Sequence, residues 1–307
     1  MSTVTVIGAG TIGLGWINLF SDRGLTVRVN SRRPDVRRVV REALELFSPG
    51  RADELAARIE YEPDVGRAVA GADVVSENAP DDLPLKQRLF AEIGAAAADH
   101  ALVLSSTSKL LPDELGRDMP GPGRLVVAHP FNPPHIVPLV EVVGGERTDP
   151  EAVERTLAFL ASVGRTPVVV RRALPGFAAN RLQSALLRES IHLVLEGVVT
   201  VEELDRIVTD SIGLRWSTIG PFHAFHLGGG PGGLRKWLEH LGSGLEQGWR
   251  GLGQPALTPQ AVETLVAQTE AAYGHRPYAE LVRDRDDRHL AVLAALERTE
   301  QPQEETK

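Results

Sequence analysis

The sequence predicts an α/β protein in which a parallel, doubly wound sheet is followed by an all-α domain. Three observations support this fold class. Short apolar runs alternate with helix-compatible stretches in the N-terminal part, as in consecutive β–α units. A glycine-rich turn separates the first run from the first helical stretch, and no strand-like run follows Val170. We therefore expect one domain at residues 1–172 and a helical domain at residues 173–307.

The predicted strands are short apolar runs bounded by polar or turn-forming residues. They are Val4–Ile7, Val27–Asn30, Val74–Ser76, Leu102–Leu104, Leu125–Ala128, Leu139–Val143 and Val168–Val170. Helix-compatible stretches between them cover residues 12–22, 35–47, 51–58, 84–98 and 150–162. Proline is well tolerated at the first position of a helix, so Asp149 followed by Pro150 predicts the start of the last of these helices.

The C-terminal domain is predicted from helical patterns alone. They cover residues 176–196, 200–212, 232–247 and 258–273. Thr200 and Glu203 have the spacing of a capping box, which marks a helix start. The glycine-rich segment 228–233 has no strand before it, so we interpret it as a flexible loop and not as a phosphate site. Residues from about 298 onward are polar and charged, and we expect them to be disordered.

Composition and charge exclude several classes of protein. Asp and Glu outnumber Lys and Arg by 41 to 33, and the net charge of −8 argues against binding to nucleic acid or anionic membranes. No apolar run reaches the roughly eighteen residues of a membrane span. A strand begins at Thr3, which leaves no room for a signal peptide, and the lack of cysteine excludes disulfides. These features favour a cytoplasmic location.

The turn after the first strand carries the most specific local pattern. Gly8, Gly10 and Gly13 have G-x-G-x-x-G spacing between that strand and a helix that begins near Thr11. The first glycine permits a tight turn, the second lets the backbone approach a pyrophosphate, and the third lets helix and strand pack closely. The helix N-terminus then faces the phosphate charge. The pattern predicts a Rossmann-type dinucleotide-binding domain.

The end of the second strand bears on the choice of nicotinamide cofactor. NAD-binding domains of this type usually have Asp or Glu there, which hydrogen-bonds the ribose hydroxyls. This chain has Ser31, Arg32 and Arg33 instead, and its first acid is Asp35. A hydroxyl and two guanidinium groups favour a 2′-phosphate, which a carboxylate would repel. The sequence therefore favours NADP(H), and NAD(H) stays open if the arginines are only a solvated surface pair.

His129 and Glu141 form the candidate catalytic pair. His129 directly follows the strand Leu125–Ala128, and the prolines of the loop 130–134 reduce the entropy lost when that loop orders. Glu141 lies within the apolar strand Leu139–Val143, where a carboxylate needs a hydrogen-bonding partner. A carboxylate bound to one imidazole nitrogen selects the tautomer in which the other nitrogen is a base. We expect His129 to take the proton of a substrate hydroxyl as hydride leaves the adjacent carbon.

Several motifs follow one another in an order that resembles a known family. They are Gly8–Gly13, Asp81–Lys86, Ser105–Ser108, His129–Pro134 with Glu141, Gly176–Gln183 and Gly213–Phe222. On these motifs the chain resembles the 3-hydroxyacyl-CoA dehydrogenase superfamily from residue 3 to about residue 295. Within the superfamily it resembles the branch that acts on small free hydroxy acids, represented by L-gulonate 3-dehydrogenase (lambda-crystallin) and carnitine 3-dehydrogenase.

The resemblance implies catalytic roles for four residues. His129 matches the base of the family and Glu141 the carboxylate paired with it. Ser108 matches a serine that contacts the substrate, and Asn180 matches an asparagine near the substrate oxygen. Hydrogen bonds from these two side chains would stabilise the oxygen as its charge changes. Carnitine dehydrogenases often have Asp where this chain has Asn180, although residues 279–287 are similar to theirs.

The resemblance also implies cofactor contacts beyond the three glycines. Thr11 and Ile12 match contacts in the nucleotide turn, and Lys86 matches a cofactor-binding lysine. Asp81 stands where the family usually has Glu, which is one methylene longer. Ser31 stands where the family has the aspartate that binds the ribose, and this departure puts the use of NAD in doubt.

The short connection between the second strand and Val74 bears on the size of the substrate. Acyl-CoA members of the family carry a long helical hairpin in this connection, which helps to bind CoA, whereas only about 43 residues lie between Asn30 and Val74 here. A small free 3-hydroxy acid, gulonate-like or carnitine-like, is therefore favoured. A dehydrogenase of CoA-bound or carrier-bound 3-hydroxyacyl groups is one alternative, and a non-catalytic, crystallin-like nucleotide-binding protein is another.

Partners other than the substrate and cofactor are expected from family analogy only. The helical domain resembles dimerising domains of the family, so a homodimer is expected. His223 and His226 lie three residues apart without acidic neighbours, and we expect no metal site.

Overall fold

The computed structural model describes residues 2–300, which form two compact units. The first runs as far as Asn180 and includes Arg285–Leu290, and the second takes Arg181–Asp284 and the residues from Ala291 onward. The first unit contains an eight-stranded sheet with helices, and the second is helical. The α/β fold class predicted from the sequence is confirmed. The domain boundary expected after residue 172 stays a prediction.

The sheet is parallel through its first six strands and reverses in the last two. Its strands are β1 (Thr3–Ile7), β2 (Thr26–Asn30), β3 (Ile59–Tyr61), β4 (Val74–Glu77), β5 (Leu102–Ser105), β6 (Leu125–Pro130), β7 (Leu139–Val143) and β8 (Thr166–Val169). Their order is β3-β2-β1-β4-β5-β6-β7-β8, with β7 antiparallel to β6 and parallel to β8. A parallel crossover needs about a dozen residues or more, and residues 131–138 are too few to form one. The parallel sheet predicted from the sequence is confirmed for the first six strands of this order, and the reversal of β7 and β8 was not predicted.

The first unit has more short elements than the sequence predicted. Its helices are α1 (Thr11–Asp22), α2 (Val36–Phe47), α3 (Ala52–Ala56), α4 (Val65–Val69), α5 (Leu83–Ala96), α6 (Pro112–Leu115) and α7 (Pro150–Ser162), with a short 3-10 helix at Pro122–Arg124. Strand β3 and helices α4 and α6 were not predicted, because three to five residues are too few for a hydrophobic period to be recognised. Asp82 caps α5 by accepting a hydrogen bond from the Leu85 amide at 2.7 Å.

Alternate residues of β1, β4, β5, β6 and β7 contribute to two apolar cores, one on each face of the sheet. Along β6, Val126 and Ala128 join the first core, whereas Leu125 and Val127 join the second. Helices α1, α2, α3 and α7 pack on the first core, and α4, α5 and α6 pack on the second, so the sheet is doubly wound. Because side chains alternate along a strand, His129 follows Leu125 and Val127 on the second face.

The second unit consists of helices of very different length. They are α8 (Ala179–Leu195, whose first two residues belong to the first unit), α9 (Val201–Val208), α10 (Leu214–Thr218), α11 (Pro221–Gly228), α12 (Gly233–Arg250), α13 (Pro259–Tyr273) and α14 (Tyr278–Glu300). A π-helical turn at Thr209–Gly213 takes the place of the C-terminal part of the predicted helix 200–212. The predicted capping box is confirmed, since Glu203 accepts from the Thr200 amide at 2.8 Å and Thr200 accepts from the Glu203 amide at 3.3 Å.

Three expectations for the C-terminal region differ from the structure. Helix α14 was not predicted, and it continues through the first residues of the segment expected to be disordered from about 298. Residues 301–307 of that segment lie outside the described residues. The segment 228–233 contains the end of α11, a 3-10 helix at Gly230–Gly232 and the start of α12, so it is more ordered than expected. Among the described helices, none is long and apolar enough to cross a membrane.

Candidate active site

The turn between β1 and α1 requires glycine at the first and third of its three glycine positions. Gly8 has a φ of +94°, and a Cβ there would lie 2.7 Å from the carbonyl oxygen of Asn78. A Cβ on Gly13 would overlap the carbonyl oxygen of Gly8. Gly10 differs, because no protein atom lies within 4 Å of the position its Cβ would take. The backbone at Gly10 is therefore open to a ligand, as expected for the glycine that faces a pyrophosphate.

Helix α1 begins without a side chain that satisfies its first amides. Gly10 is the N-cap residue of α1, and no side-chain hydrogen bond caps this helix among residues 2–300. The first turn of α1 also contains no acid. Thr11 is exposed and Ile12 is half-buried at this end of the helix. The unsatisfied amides and the positive end of the helix dipole suit an anionic group. These residues therefore fit the phosphates of a dinucleotide.

The end of β2 presents one free arginine and one that is already paired. The Nε atom of Arg33 donates to Oδ1 of Asp35 at 3.1 Å, and Ser31 accepts from the Arg33 amide at 3.2 Å. The Arg33 guanidinium, together with Arg38, holds the pKa of Asp35 below its ordinary value. Arg32 is exposed and has no ion pair or side-chain hydrogen bond with the described residues. Only one of the two predicted guanidinium groups is therefore free of a carboxylate.

Glu77 is the centre of a buried charge cluster at the ends of β4 and β5. This residue was not singled out from the sequence. Lys86 donates to both carboxylate oxygens of Glu77, at 2.7 and 2.8 Å, and lies 3.5 Å from Asp81. Ser105 Oγ and the Ala79 amide each donate to Glu77 at 2.6 Å. Glu77 and Ser105 are 0% exposed and Lys86 is 1% exposed. The signal that could have drawn attention to Glu77 is an acid at the end of an apolar strand.

This cluster limits what Lys86 can offer a ligand. An ammonium group has three N–H donors, and two of the contacts of Lys86 are with Glu77 and a third is with Asp81. The side chain instead joins α5 to the carboxyl end of β4. The predicted cofactor contacts of Lys86 and Asp81 stay predictions.

Helix α1 joins the nucleotide turn to two loops at the carboxyl edge of the sheet. The indole Nε1 of Trp16 donates to Ser106 Oγ at 3.1 Å, in the loop that also contains Ser108. A Cβ on Gly15 would lie 2.6 Å from Pro134 Cγ, so α1 packs closely against the loop that follows His129. Neither Gly15 nor Trp16 was singled out from the sequence. Both residues lie on α1, and their contacts connect the nucleotide turn with the two candidate catalytic loops.

The reversal of β7 places Glu141 directly opposite His129. In the antiparallel register Val127 pairs with Val143 and His129 pairs with Glu141. Directly opposed residues of an antiparallel pair have their side chains close together on the same face. His129 Nδ1 lies 2.9 Å from Glu141 Oε2, and the two residues are 5% and 2% exposed. The structure thus brings together the two residues that the sequence proposed as a pair.

Glu141 also accepts hydrogen bonds from the start of α8. Its Oε1 atom accepts from the amides of Ala178 and Ala179 at 2.9 and 3.0 Å. An ionised carboxylate only accepts hydrogen bonds, so Oε2 is an acceptor as well as Oε1. The proton of the hydrogen bond between Oε2 and His129 therefore belongs on Nδ1. Nε2 then carries a lone pair, and it has no hydrogen-bond partner among residues 2–300. This arrangement can accept a proton at Nε2 and balance the resulting charge at Nδ1.

Ser108 and Asn180 lie on segments that adjoin this pair, but neither side chain is hydrogen-bonded to it. Ser108 is in the loop after β5, and Ser105 of β5 pairs with Val127 of the neighbouring β6. Asn180 directly follows Ala179, whose amide binds Glu141. In the part of the chain that the structure describes, neither side chain has a hydrogen-bond partner. Both polar groups are therefore available to a bound molecule.

Comparison with known proteins agrees with this geometry. The family model described as "3-hydroxyacyl-CoA dehydrogenase, NAD binding domain" matches residues 3–173, and the one described as "3-hydroxyacyl-CoA dehydrogenase, C-terminal domain" matches residues 176–275. The chain belongs to the 3-hydroxyacyl-CoA dehydrogenase family. As a member of this family it is an oxidoreductase that acts on a CH–OH group, and it has a Rossmann-type NAD-binding domain.

Similar proteins are found among curated sequences and solved structures. An L-carnitine dehydrogenase of Nocardiopsis dassonvillei is 42% identical over 305 residues, which cover 97% of this chain and 92% of that protein. One from a Pseudomonas species is 40% identical over 302 residues, covering 96% of this chain and 94% of that protein. The crystal structure of 5-formyl-3-hydroxy-2-methylpyridine 4-carboxylic acid 5-dehydrogenase, an NAD+-dependent dismutase, matches with a TM-score of 0.77 and 29% identity, covering 97% and 99% of the two chains.

Proposed function

We propose that this dehydrogenase transfers a hydride between a nicotinamide cofactor and the 3-hydroxy or 3-oxo carbon of a small free hydroxy acid. The observation that carries the proposal is the 2.9 Å contact between His129 Nδ1 and Glu141 Oε2, with His129 Nε2 left without a partner among the described residues. When bound, the nicotinamide accepts or donates the hydride. Gly8, Gly10 and Gly13, with Thr11 and Ile12, would hold its pyrophosphate.

The side chains of this protein would move and stabilise the proton. In the oxidising direction His129 Nε2 takes the hydroxyl proton, and Glu141 stabilises the imidazolium that forms. Ser108 and Asn180 would hydrogen-bond the oxygen as its charge changes, and a donor in that role is worth about 2–4 kcal/mol of barrier height. The ring centroids of Phe131 and Phe177 lie 4.9 and 5.5 Å from that of the imidazole.

The substrate we propose is L-carnitine or a 3-hydroxy acid of similar size. Similarity to L-carnitine dehydrogenases over nearly the whole chain supports this choice. The connection between β2 and β4 contains only α2, α3, β3 and α4, without the long helical hairpin that acyl-CoA members use, which also favours a free acid. Asn180, where carnitine dehydrogenases often have Asp, keeps a gulonate-like substrate as the second candidate.

A steady-state panel tests the substrate. L-Carnitine, D-carnitine, L-gulonate, 3-hydroxybutyrate and 3-hydroxybutyryl-CoA are compared by kcat/KM with both cofactors. We expect the highest value with L-carnitine and the lowest with the CoA ester. A higher kcat/KM for the CoA ester would contradict the proposal in favour of an acyl-CoA dehydrogenase. Absence of turnover with every compound, while NAD(P)H still binds, would favour a non-catalytic nucleotide-binding protein.

For the cofactor we propose a preference for NADP(H) over NAD(H). Ser31 replaces the usual carboxylate, and the exposed guanidinium of Arg32 has no ion pair among the described residues. Arg33 shares its charge with Asp35, so we expect it to contribute less. Arg32→Ala should lower kcat/KM for NADP(H) by about tenfold or more while leaving that for NAD(H) unchanged. Arg33→Ala is the matched control with a smaller effect, and a large preference of the unaltered protein for NADH would overturn the proposal.

We also propose that the second unit forms a homodimer. Many of its large apolar side chains are exposed, including Leu182 at 69% and Trp249 at 62%, as expected for a surface that a second copy covers. Sedimentation velocity would test this, and a monomer at micromolar concentration would contradict it. A cytoplasmic location is retained as a proposal from composition, to be tested by cell fractionation.

A further inference from the structure

Phe177 has an unusual backbone conformation. Its φ is +45°, and among the described residues it is the one residue other than glycine with a positive φ. Bulky L-residues rarely adopt this region because the Cβ approaches the backbone, and such residues occur where surrounding contacts hold them. Phe177 is also only 2% exposed, so its ring is enclosed by other atoms. The chain therefore retains a strained, buried residue at this position.

The strained corner directly precedes the two amides that bind Glu141. Gly176 has a φ of +79°, so two successive residues are left-handed, and the Phe177 amide closes the turn by donating to the Leu174 carbonyl at 2.8 Å. Ala178 and Ala179 follow at once, and both amides donate to Glu141 Oε1 at 2.9 and 3.0 Å. A change of φ at Phe177 would rotate the peptide unit that carries the Ala178 amide and move that amide away from the carboxylate.

The aromatic ring of Phe177 packs in the second apolar core and against His129. It is part of the second apolar core, on the face of the sheet that also carries His129 and Glu141. Its centroid is 5.5 Å from that of the His129 ring, with the two planes inclined by 55°. Phe131 contacts the same imidazole from 4.9 Å, but its φ is not positive and it does not precede an amide that binds Glu141. Both phenylalanines thus contact the imidazole of His129, but only Phe177 lies at the corner that precedes the amides bound to Glu141.

We propose that Phe177 is a positioning residue, whose buried ring holds a left-handed corner that aims two amides at Glu141 and so keeps this carboxylate against His129. The inference rests on the proposed function, in which His129 is the base. It assigns to the ring a role beyond filling space, because the ring maintains a backbone angle that an alanine would not keep. Glycine adopts positive φ without strain, so it should preserve the corner even though it lacks the ring.

Two variants with opposite predictions test this role. Phe177→Ala removes the ring and keeps the strain of an L-residue, so the corner should relax and Glu141 should lose its amide donors. Phe177→Gly removes more of the side chain but permits the angle. We expect Phe177→Ala to lower kcat about tenfold and to move the acid limb of the kcat/KM profile to lower pH. Without the amides the carboxylate is no longer held against His129, so the imidazolium loses part of its counter-ion. Phe177→Gly should leave that limb in place.

Three further proteins make the result interpretable. Phe131→Ala removes a ring from the same imidazole without touching the corner, so its acid limb should stay in place. His129→Gln tests the proposed function itself: an active His129→Gln protein would refute the role of His129 as the base, whereas the positioning of Glu141 by Phe177 is tested separately by the pH dependence of the His129 imidazole protons. Phe177→Leu keeps apolar volume, and it replaces Phe177→Ala if the latter does not fold, with a smaller shift of the acid limb in the same direction.

A second readout does not depend on turnover. The imidazole protons of His129 are followed by NMR against pH in the wild-type, Phe177→Ala and Phe177→Gly proteins, with the resonance assigned by its loss in His129→Gln. The titration midpoint should shift in Phe177→Ala and be retained in Phe177→Gly. If the alanine variant keeps the wild-type acid limb and NMR midpoint, or if the glycine variant shifts them equally, Phe177 only fills space and the proposal is wrong.

Discussion

The two units of this protein use similar apolar residues in opposite ways. In the first unit the sheet buries residues on both faces, and side chains such as Val6, Phe90 and Val103 are less than 1% exposed. In the second, Leu187, Ile207 and Leu214 are 53%, 52% and 62% exposed. Doubly wound strands are enclosed by helices of their own unit, whereas an amphipathic helix needs a neighbour for its apolar stripe. The difference shows that the first unit completes its own core and the second has apolar faces left to cover.

Buried polar residues are also distributed unequally between the two units. Each described polar or charged residue that is buried belongs to the first unit, including Glu77, Lys86, His129 and Glu141. A buried charge is tolerated only where partners are held in place around it. The enclosed sheet therefore provides the fixed environment in which the candidate active site is built.

Breaking the buried charge cluster should have the largest effect. Lys86→Met leaves Glu77 buried without its cation, and removing one partner of a buried pair costs about 3–5 kcal/mol. Urea denaturation should show this loss in the free energy of unfolding. Lys236→Met, on an exposed lysine of the second unit, is the matched control and should change little. Equal stability of the two variants would mean that the Glu77 cluster does not stabilise the first unit.

Acid should destabilise the first unit through His135. Burial, offset only in part by Asp286 and reinforced by Arg285 and Arg165, lowers the pKa of His135 to about 4. Below the ordinary value of about 6.5, the unfolded chain takes up a proton that the folded chain does not, so stability falls between pH 6.5 and about 4. The contribution is up to about 3 kcal/mol.

His135→Phe should remove this part of the pH dependence. The new ring can still stack on Phe47, whose centroid lies 4.2 Å from that of His135. The free energy of unfolding is measured at several pH values in that window. His100→Asn serves as the control, because the His100 side chain is 63% exposed. The same slope in His135→Phe and in the wild type would contradict the assignment.

Removing the candidate base should separate activity from stability. His129→Gln keeps the size and polarity of the side chain but cannot accept the proton, so kcat should fall at least about a hundredfold. Its melting temperature should stay close to that of the wild type, since Gln can still donate to Glu141. Unchanged turnover would refute the role of His129.

Charging an apolar face of the second unit should have the smallest effect on the chain itself. Leu182 and Leu186 lie four residues apart on α8 and are 69% and 37% exposed. Replacing both with Glu should weaken self-association about tenfold or more without altering the core of the first unit. Sedimentation equilibrium measures this. Val168→Glu, at a 48% exposed position of β8, is the control in the first unit, and an equal effect there would contradict the comparison.

The sequence predicted the parts of the site that depend on local geometry. The turn Gly8–Gly13 follows from the steric limits of a few adjacent residues, and His129 follows from its place at the end of an apolar strand. Glu77 was missed because its significance lies in Lys86, nine residues away, and Ser105, twenty-eight residues away. The local pattern shows an acid at the end of an apolar strand, but it does not show which distant residues pair with that acid.

By itself the sequence determined the alternation of β–α units, the glycine turn and the family, because these depend on residue order and short-range sterics. Tertiary structure decided that β7 runs against β6, which is what places Glu141 opposite His129. It also decided that the amides of Ala178 and Ala179, thirty-seven and thirty-eight residues from Glu141, complete its hydrogen bonds. Strand direction and contacts at such separations depend on how the whole chain packs, and no short segment encodes them.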